Sequence, residues 1–226
     1  MNKFENEELI EYITQEAKHD LAPHRILFNQ LKDYIETDAQ INKYVHSYKS
    51  REKEDSHLDE KITRKNKERR KEGLSAIDKD NIFHLITDIY GIRILHLHHK
   101  QFQFIHQFFM EKVNANEIAL YEKPKAYGWD PEYRNFFEDL GIHYQQKESS
   151  YTSVHYVFQH IKNSKATCEI QVRTLCEELW GEIDHLINYP KKTEDPAVEE
   201  LLKVFSKIVG ASVKVSNSIF NIIEKK

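Results

Sequence analysis

Cysteine, glycine, proline and long apolar runs are all scarce in this chain, and each scarcity removes a class of protein. Two cysteines in 226 residues, Cys168 and Cys176, make neither a disulfide framework nor the paired spacings of a zinc site. Six glycines and five prolines exclude collagen-like and linker-rich chains. Neither GxGxxG nor GxxxxGK followed by Ser or Thr occurs, so no glycine-rich phosphate loop is present. No stretch approaches the ~18 apolar residues of a membrane span. The opening MNKFENEELIEY lacks the basic-then-apolar layout of a secretory signal. A cytoplasmic protein without a membrane partner is the expectation. An excess of positive charge is also missing: 33 basic against 37 acidic residues give a net charge of -4. That excludes coating nucleic acid through bulk charge, though not a local basic patch. What the chain does have is 39% hydrophobic residues, enough for one sizeable core, and 31% charged residues for a polar surface.

Periodicity assigns the elements. Leu9, Ile10, Ile13 and Ala17 recur at helical spacing over 6–18. Leu27, Leu31 and Ile35 do so over 24–36, with Pro23 suited to the first turn. Residues 50–73 carry little apolar weight beyond Leu58 and Ile62 and read as a solvated or mobile basic segment. A short helix over 80–89 leads to a strand over 92–97, then an amphipathic helix marked by Phe102, Ile105, Phe109 and Val113. A second strand is expected over 118–121, then a structured aromatic insertion over 122–146. Strands over 152–161 and 166–173 precede a helix over 175–188 whose Leu175, Leu179, Ile183 and Leu186 are read as facing inward. A last helical region runs over 197–223, divided at Gly210.

The strand over 166–173 alternates. Cys168, Ile170 and Val172 lie on one face; Glu169, Gln171 and Arg173 project from the other. Asp88 falls at the helix-to-strand junction beside the same sheet. Two carboxylates from separate elements suit Mg²⁺, which takes one or two carboxylates and fills its remaining positions with water and phosphate oxygens. The basic stretch supplies the opposite charge. Lys61, Arg64 and Lys65 share a helix face, and such a face can hold a polyphosphate. Arg51 and Arg93 have the planar guanidinium that stacks on a nucleobase, as lysine cannot. By contrast, His96, His98 and His99 lack any metal-ligand spacing and read as structural or exposed. Both cysteines read as small core residues.

The strings ITDIYGIRI, KESSYTSVHYVF and EIQVRTLCEELWGEIDHLINY, with Arg51, Lys53, Glu60, Lys61, Arg64 and Lys65 upstream, resemble the RelA/SpoT-type synthetase domain. The likeness is greatest to the small alarmone synthetases, stand-alone (p)ppGpp synthetases without a hydrolase domain. It implies an α/β fold, a mixed sheet of about five strands flanked by helices as in nucleotidyltransferase-like synthetases, with extra N- and C-terminal helices. The parts would be N-terminal helices over 1–44, a synthetase core over 45–190 and a C-terminal helical region over 191–226. The implied reaction moves pyrophosphate from ATP to the 3′-hydroxyl of GDP or GTP and releases AMP. By this resemblance Asp88 and Glu169 are the Mg²⁺ and catalytic carboxylates. Arg51 and Arg93 flank the adenine of ATP, and Lys53, Lys61 and Arg64 hold its phosphates. Tyr151 stacks on the acceptor base, with Lys147, His155 and Gln171 nearby. Trp180 and His185 match a structural WxxxxH helix. A homo-oligomer is implied through the terminal helices.

Three positions depart from the family pattern: Ser150 replaces a glycine, His57 a serine, and Glu178 an Asn or Asp on the acceptor side. They leave the metal and ATP positions intact and open the identity of the acceptor. The alternative is a toxic relative that pyrophosphorylates the 3′-CCA end of tRNA or makes ppApp. Lys65–Lys71 and the aromatics of 122–146 would then serve a single-stranded acceptor, although those aromatics equally suit core packing. A non-catalytic nucleotide-binding regulator is a third reading, and it has little need for both Asp88 and Glu169.

Overall fold

The computed structural model describes residues 8–9, 11–12, 18–147, 151–162, 164–189 and 191–223. Helix α1 (Lys18–Thr37) and the short α2 (Ala39–Asn42) precede strand β1 (Ser47–Glu52). Helices α3 (Asp55–Lys71) and α4 (Ile82–Leu85) lead to β2 (Tyr90–His96), and α5 (His99–Asn114) leads to β3 (Ala119–Gly128). A 3₁₀ turn (Pro131–Tyr133) and α6 (Arg134–Asp139) connect to β4 (His143–Gln146). The chain then forms β5 (Ser153–Gln159), β6 (Thr167–Thr174), α7 (Leu175–Asn188) and α8 (Pro196–Ile223). One mixed six-stranded sheet runs in the order β1-β2-β6-β5-β3-β4. The β2–β6 and β3–β4 pairs are parallel, and the rest are antiparallel. The class is the expected one, with six strands in place of five.

One face of the sheet is the core. Ile92, Ile94, Cys168, Ile170, Val172, Tyr156 and Phe158 are buried there with Leu27, Leu31 and Ile35 of α1 and Phe102, Ile105 and Phe109 of α5. Helix α1 begins earlier than the periodicity predicts, so Pro23 sits inside it and not at its first turn. The expected helix over 6–18 lies largely outside the described residues, and Leu9 is buried. The two strands that the periodicity does not assign, β1 and β4, come from segments without a clear apolar alternation. β1 is exposed along almost its whole length and pairs with β2 at the sheet edge. β4 sits within the aromatic segment, whose Phe137 and Tyr144 are buried in the core. The strand expected over 118–121 extends to Gly128, and the helix expected over 80–89 shrinks to Ile82–Leu85. Among the described residues, no helix is long and apolar enough to cross a membrane.

The other face of the sheet is roofed by α7. Thr174 caps this helix: its hydroxyl accepts from Glu177 N at 3.2 Å while Glu177 Oε2 accepts from Thr174 N at 2.8 Å. The capping box ties the helix start directly to the end of β6. One side of α7 is polar or glycine, at 178, 181, 182 and 185, and that side faces the strands. Its apolar stripe therefore points outward, contrary to the inward reading: Leu179 is 55% and Leu186 81% exposed. Trp180 anchors the roof to α8, donating from Nε1 to the Leu202 carbonyl at 3.2 Å. Helix α8 runs unbroken through Gly210, where a Cβ would meet Trp129 Cζ2 at 3.0 Å, so this glycine serves close packing and does not divide the helix. Further along, Asn217 Oδ1 accepts from His99 N at 2.8 Å, which ties α8 to the start of α5. The neighbouring histidines are packed: His96 Nδ1 bonds the His98 carbonyl at 3.1 Å, and His98 stacks on Phe220 at 3.9 Å. Cys168 is fully buried, whereas Cys176 is only half-buried.

The contrast between the two sheet faces fixes an expected outcome. Ile170→Ala, at 0% exposure in β6, should cost about 2–5 kcal/mol. Leu186→Ser should change stability by less than about 0.5 kcal/mol. Urea denaturation of the two variants checks this, and a large loss for Leu186→Ser would restore the inward reading.

Candidate active site

Strand register builds the floor of the site. Lys49, Arg93, Gln171 and His155 lie side by side across β1, β2, β6 and β5, and one step along lie Arg51, Gly91 and Glu169. Directly paired residues share a face, so both rows open toward α7. Gly91 puts no side chain between Arg51 and Glu169. The result is a cleft of about 630 Å³ between the strands and α7, lined by Arg51, Asp88, Arg93, Tyr151, Glu169 and Gln171 among others.

Among the carboxylates in or beside this cleft, Asp88, Glu178 and Glu169 are each held differently. Asp88 comes from the turn before β2, with Lys53 Nζ 3.0 Å from Oδ2 and Lys61 Nζ 2.5 Å from Oδ1. Burial alone would raise its pKa, but the two ammonium charges outweigh burial and pull the carboxyl down to about 2. Glu178, on α7, takes Arg93 NH1 at 2.8 Å and Lys49 Nζ at 3.0 Å on one oxygen, and Arg173 NH1 lies 3.5 Å from the other. Burial pushes this carboxyl up, and the hydrogen bonds from Arg93 and Lys49 with the Arg173 charge hold it below its usual range.

Among the described residues, no lysine or arginine is paired with Glu169. His155 Nδ1 donates to Oε1 at 3.0 Å and Gln171 Nε2 donates to Oε2 at 2.8 Å. Burial raises its pKa, and the hydrogen bonds from His155 and Gln171 offset that and leave the carboxyl lowered. A carboxylate only accepts, so His155 carries a proton on Nδ1, and Nε2 accepts from the Tyr151 hydroxyl at 2.8 Å. Burial raises the Tyr151 phenol, which keeps it a donor.

The expected site residues thus divide. Asp88, Lys53 and Lys61 form one cluster, and Glu169, His155, Tyr151 and Gln171 form another. Arg51 and Arg93 lie on the cleft wall. Arg64 and Lys147 are exposed and do not line the cleft; Lys147 Nζ stands 4.6 Å from the centre of the Tyr127 ring. Lys65 leaves the cationic face, donating to the Leu85 carbonyl at 2.5 Å, and burial lowers its pKa. His185, read as structural, lines the cleft stacked on Tyr189 at 4.5 Å, and His57 meets Tyr189 at 5.6 Å. Ser150 lies outside the described residues. Sequence reasoning missed Lys49, Glu182, Gly181 and Tyr127, since nothing in local spacing shows which helix roofs the strands. For Arg173 the signal was present in the alternation with Glu169 and Gln171.

Residues 50–194 match the family model described as the region found in RelA / SpoT proteins, and the chain belongs to that family. Solved structures similar to it in fold include the small alarmone synthetase 1 from Bacillus subtilis, at TM-score 0.67 and 17% identity over 93% of this chain and 99% of that one. A GTP pyrophosphokinase family protein from Streptococcus pneumoniae aligns at TM-score 0.68 and 18% identity, covering 94% and 96%. The Bacillus synthetase 1 bound to its product pppGpp aligns at TM-score 0.61 and 19% identity, covering 93% and 98%. No curated protein sequence matches the chain.

The Asp88 cluster carries a stability signature in the metal-free protein. A carboxyl whose folded pKa is about 2 against an ordinary value of 3.8 contributes stability above the unfolded pKa and loses it as pH falls through that interval. Asp88→Asn should therefore cost about 2 kcal/mol at pH 7. The difference from the parent should close as pH falls from about 4 to about 2. Urea midpoints across that range measure it; a gap that persists unchanged at the acid end would contradict the lysine pairing.

Proposed function

We propose that this cleft transfers the β,γ-pyrophosphate of ATP to the 3′-hydroxyl of GDP or GTP and releases AMP. The observation that carries the reading is Glu169, an ionised carboxylate oriented by a histidine and an amide, in the same cleft as the lysine-paired Asp88. Support for the ligand class comes from the Bacillus synthetase 1, solved with pppGpp and with AMPCPP.

In this reading Arg51 and Arg93 offer planar faces to the adenine, and Glu178 and Glu182 steady Arg93 through NH1. Lys53, Lys61 and Arg64 meet the charge of the triphosphate. Tyr151 stacks on the acceptor base, with Lys147, His155 and Gln171 around it. Glu169 takes the proton of the 3′-hydroxyl as its oxygen bonds to the β-phosphorus, and the bond from that phosphorus to the α,β-bridging oxygen breaks, releasing AMP. Positioning does most of the work, because the donor brings its own leaving group.

Asp88 and Glu169 fit Mg²⁺. Among the described residues no group of three or more His, Cys, Asp or Glu side chains could hold a metal ion. Two hard carboxylates suit an ion that keeps open positions for phosphate oxygens. When bound, the ion supplies neutralisation of phosphate charge.

Incubation with γ-labelled ATP and GDP, GTP, ATP or bulk tRNA tests the reading. Label should appear on the guanosine nucleotide, and Glu169→Gln should lower the rate by about 10²–10⁴. Label on the 3′ position of an adenosine nucleotide or on the tRNA 3′ end would move the assignment to the toxic-relative alternative. Absence of transfer to any of them would leave the nucleotide-binding regulator.

We also propose self-association through α8. Leu201, Ile208, Val215 and Ile222 recur every seven residues and are 67%, 57%, 59% and 61% exposed. Val204 and Ala211 fall at the intervening positions, the spacing with which two helices pack along a seam. Sedimentation should show an oligomer, and the double substitution Ile208→Glu with Val215→Lys should give a folded monomer. A monomeric parent at micromolar concentration would defeat the proposal.

A further inference from the structure

We infer that Arg173 is a positioning residue for the acceptor half of the cleft: its guanidinium sets the direction of the Gln171 amide, and through it Glu169, and backs the ring of Tyr151, in space that Gly181 leaves free. The inference rests on the reaction proposed above and deepens it.

The geometry begins in β6, where Glu169, Gln171 and Arg173 project from one face. Arg173 is 4% exposed. Its NH2 donates to Gln171 Oε1 at 2.8 Å, and Gln171 Nε2 donates to Glu169 Oε2 at 2.8 Å. An amide has a donor end and an acceptor end. Arginine has only donors and a carboxylate only acceptors, so the pair admits one orientation of the amide between them. Without the guanidinium, Gln171 can turn its carbonyl toward Glu169 and push the carboxylate away. The same NH2 lies 3.5 Å from the Tyr151 hydroxyl, and Cζ stands 5.3 Å from the centre of that ring. A cation on one face steadies the ring and leaves the opposite face for a base. Tyr151 reaches Glu169 through His155, so both branches that leave Arg173 end on the same carboxylate.

A purely structural arginine does not account for this placement. NH1 lies 3.5 Å from Glu178 Oε2, a pairing that a lysine would also supply. Among the described residues, the buried Arg173 Nε has no hydrogen-bond partner, a cost that a lysine would avoid. What the guanidinium alone provides is donors toward Glu178 and toward Gln171 and Tyr151 at once. The roof is shaped around it: a Cβ on Gly181 would come within 2.6 Å of Arg173 NH1.

The test uses the full chain as wild type, Arg173→Lys, Gly181→Ala, Gln171→Met and the double variant Arg173→Lys with Gln171→Met. Steady-state transfer gives kcat and the acceptor KM with GDP, calorimetry gives the Kd of AMPCPP, and thermal melting checks folding. Arg173→Lys should lower kcat about 10- to 100-fold and raise the KM for GDP about 2- to 30-fold. The Kd of AMPCPP should change by less than about twofold. Gly181→Ala should give the same split with the arginine retained, so the inference survives a poorly folding Arg173→Lys. In the double variant kcat should fall little below that of Gln171→Met, because Arg173 acts through the amide. Multiplicative losses in the double variant, equal weakening of GDP and AMPCPP, or wild-type kinetics in both Arg173→Lys and Gly181→Ala would overturn it. A wild type that transfers no label defeats the reaction itself and this inference with it, whereas an active wild type with multiplicative losses defeats the inference alone.

Discussion

Carboxylates gathered in one cleft must be compensated, and the way each is compensated organises this molecule. Asp88 is paired directly with Lys53 and Lys61, and Glu178 with Arg93 and Lys49. Among the described residues, Glu169 is reached by positive charge at one remove, from Arg173 through Gln171. A carboxylate saturated by ammonium groups is a weak base, whereas one oriented by a histidine and an amide retains more of its basicity. Three chemically similar side chains are thus separated into an anchor for cations, a brace for the cleft wall and a group able to take a proton.

That separation depends on two pieces of backbone geometry. Parallel pairing of β2 with β6 sets Arg93 beside Gln171 and Gly91 beside Glu169, so a cationic wall and an open floor alternate along one face. The capping box at Thr174 then starts α7 without a linker and returns Glu178 over the residues just laid down by β6. A few residues of chain supply floor, roof and the ion pairs between them. The tolerance of the arrangement for extra atoms is small, as Gly181 illustrates.

Helix α7 also explains why its apolar residues are exposed. Its sheet-facing side is committed to polar contacts in the cleft, and Trp180 takes the contact with α8. Leu179 and Leu186 are left on the surface, continuous in character with the exposed stripe of α8. An amphipathic pattern states that a helix has two faces. It does not state which of them meets the protein's own core.

Much was legible in the sequence. The alternation over 166–173 separated Cys168, Ile170 and Val172 from Glu169, Gln171 and Arg173, because a strand's period of two assigns faces without reference to neighbours. Ordered motif strings likewise tied Asp88, Lys53 and Lys61 to one nucleotide-handling family. The remaining features belong to the tertiary structure. β1 lacks an apolar pattern because an edge strand with an exposed face needs none, and its existence follows from pairing with β2. Gly210 reads as a helix break and is a packing position against Trp129. His155 and Glu169 are 14 positions apart in sequence and in contact only because β5 and β6 pair in a particular register. Sequence singled out candidate residues by type and order; strand register and the direction of α7 decided which of them touch, since hydrogen bonds and ion pairs act over a few ångströms and local periodicity does not specify distances between elements.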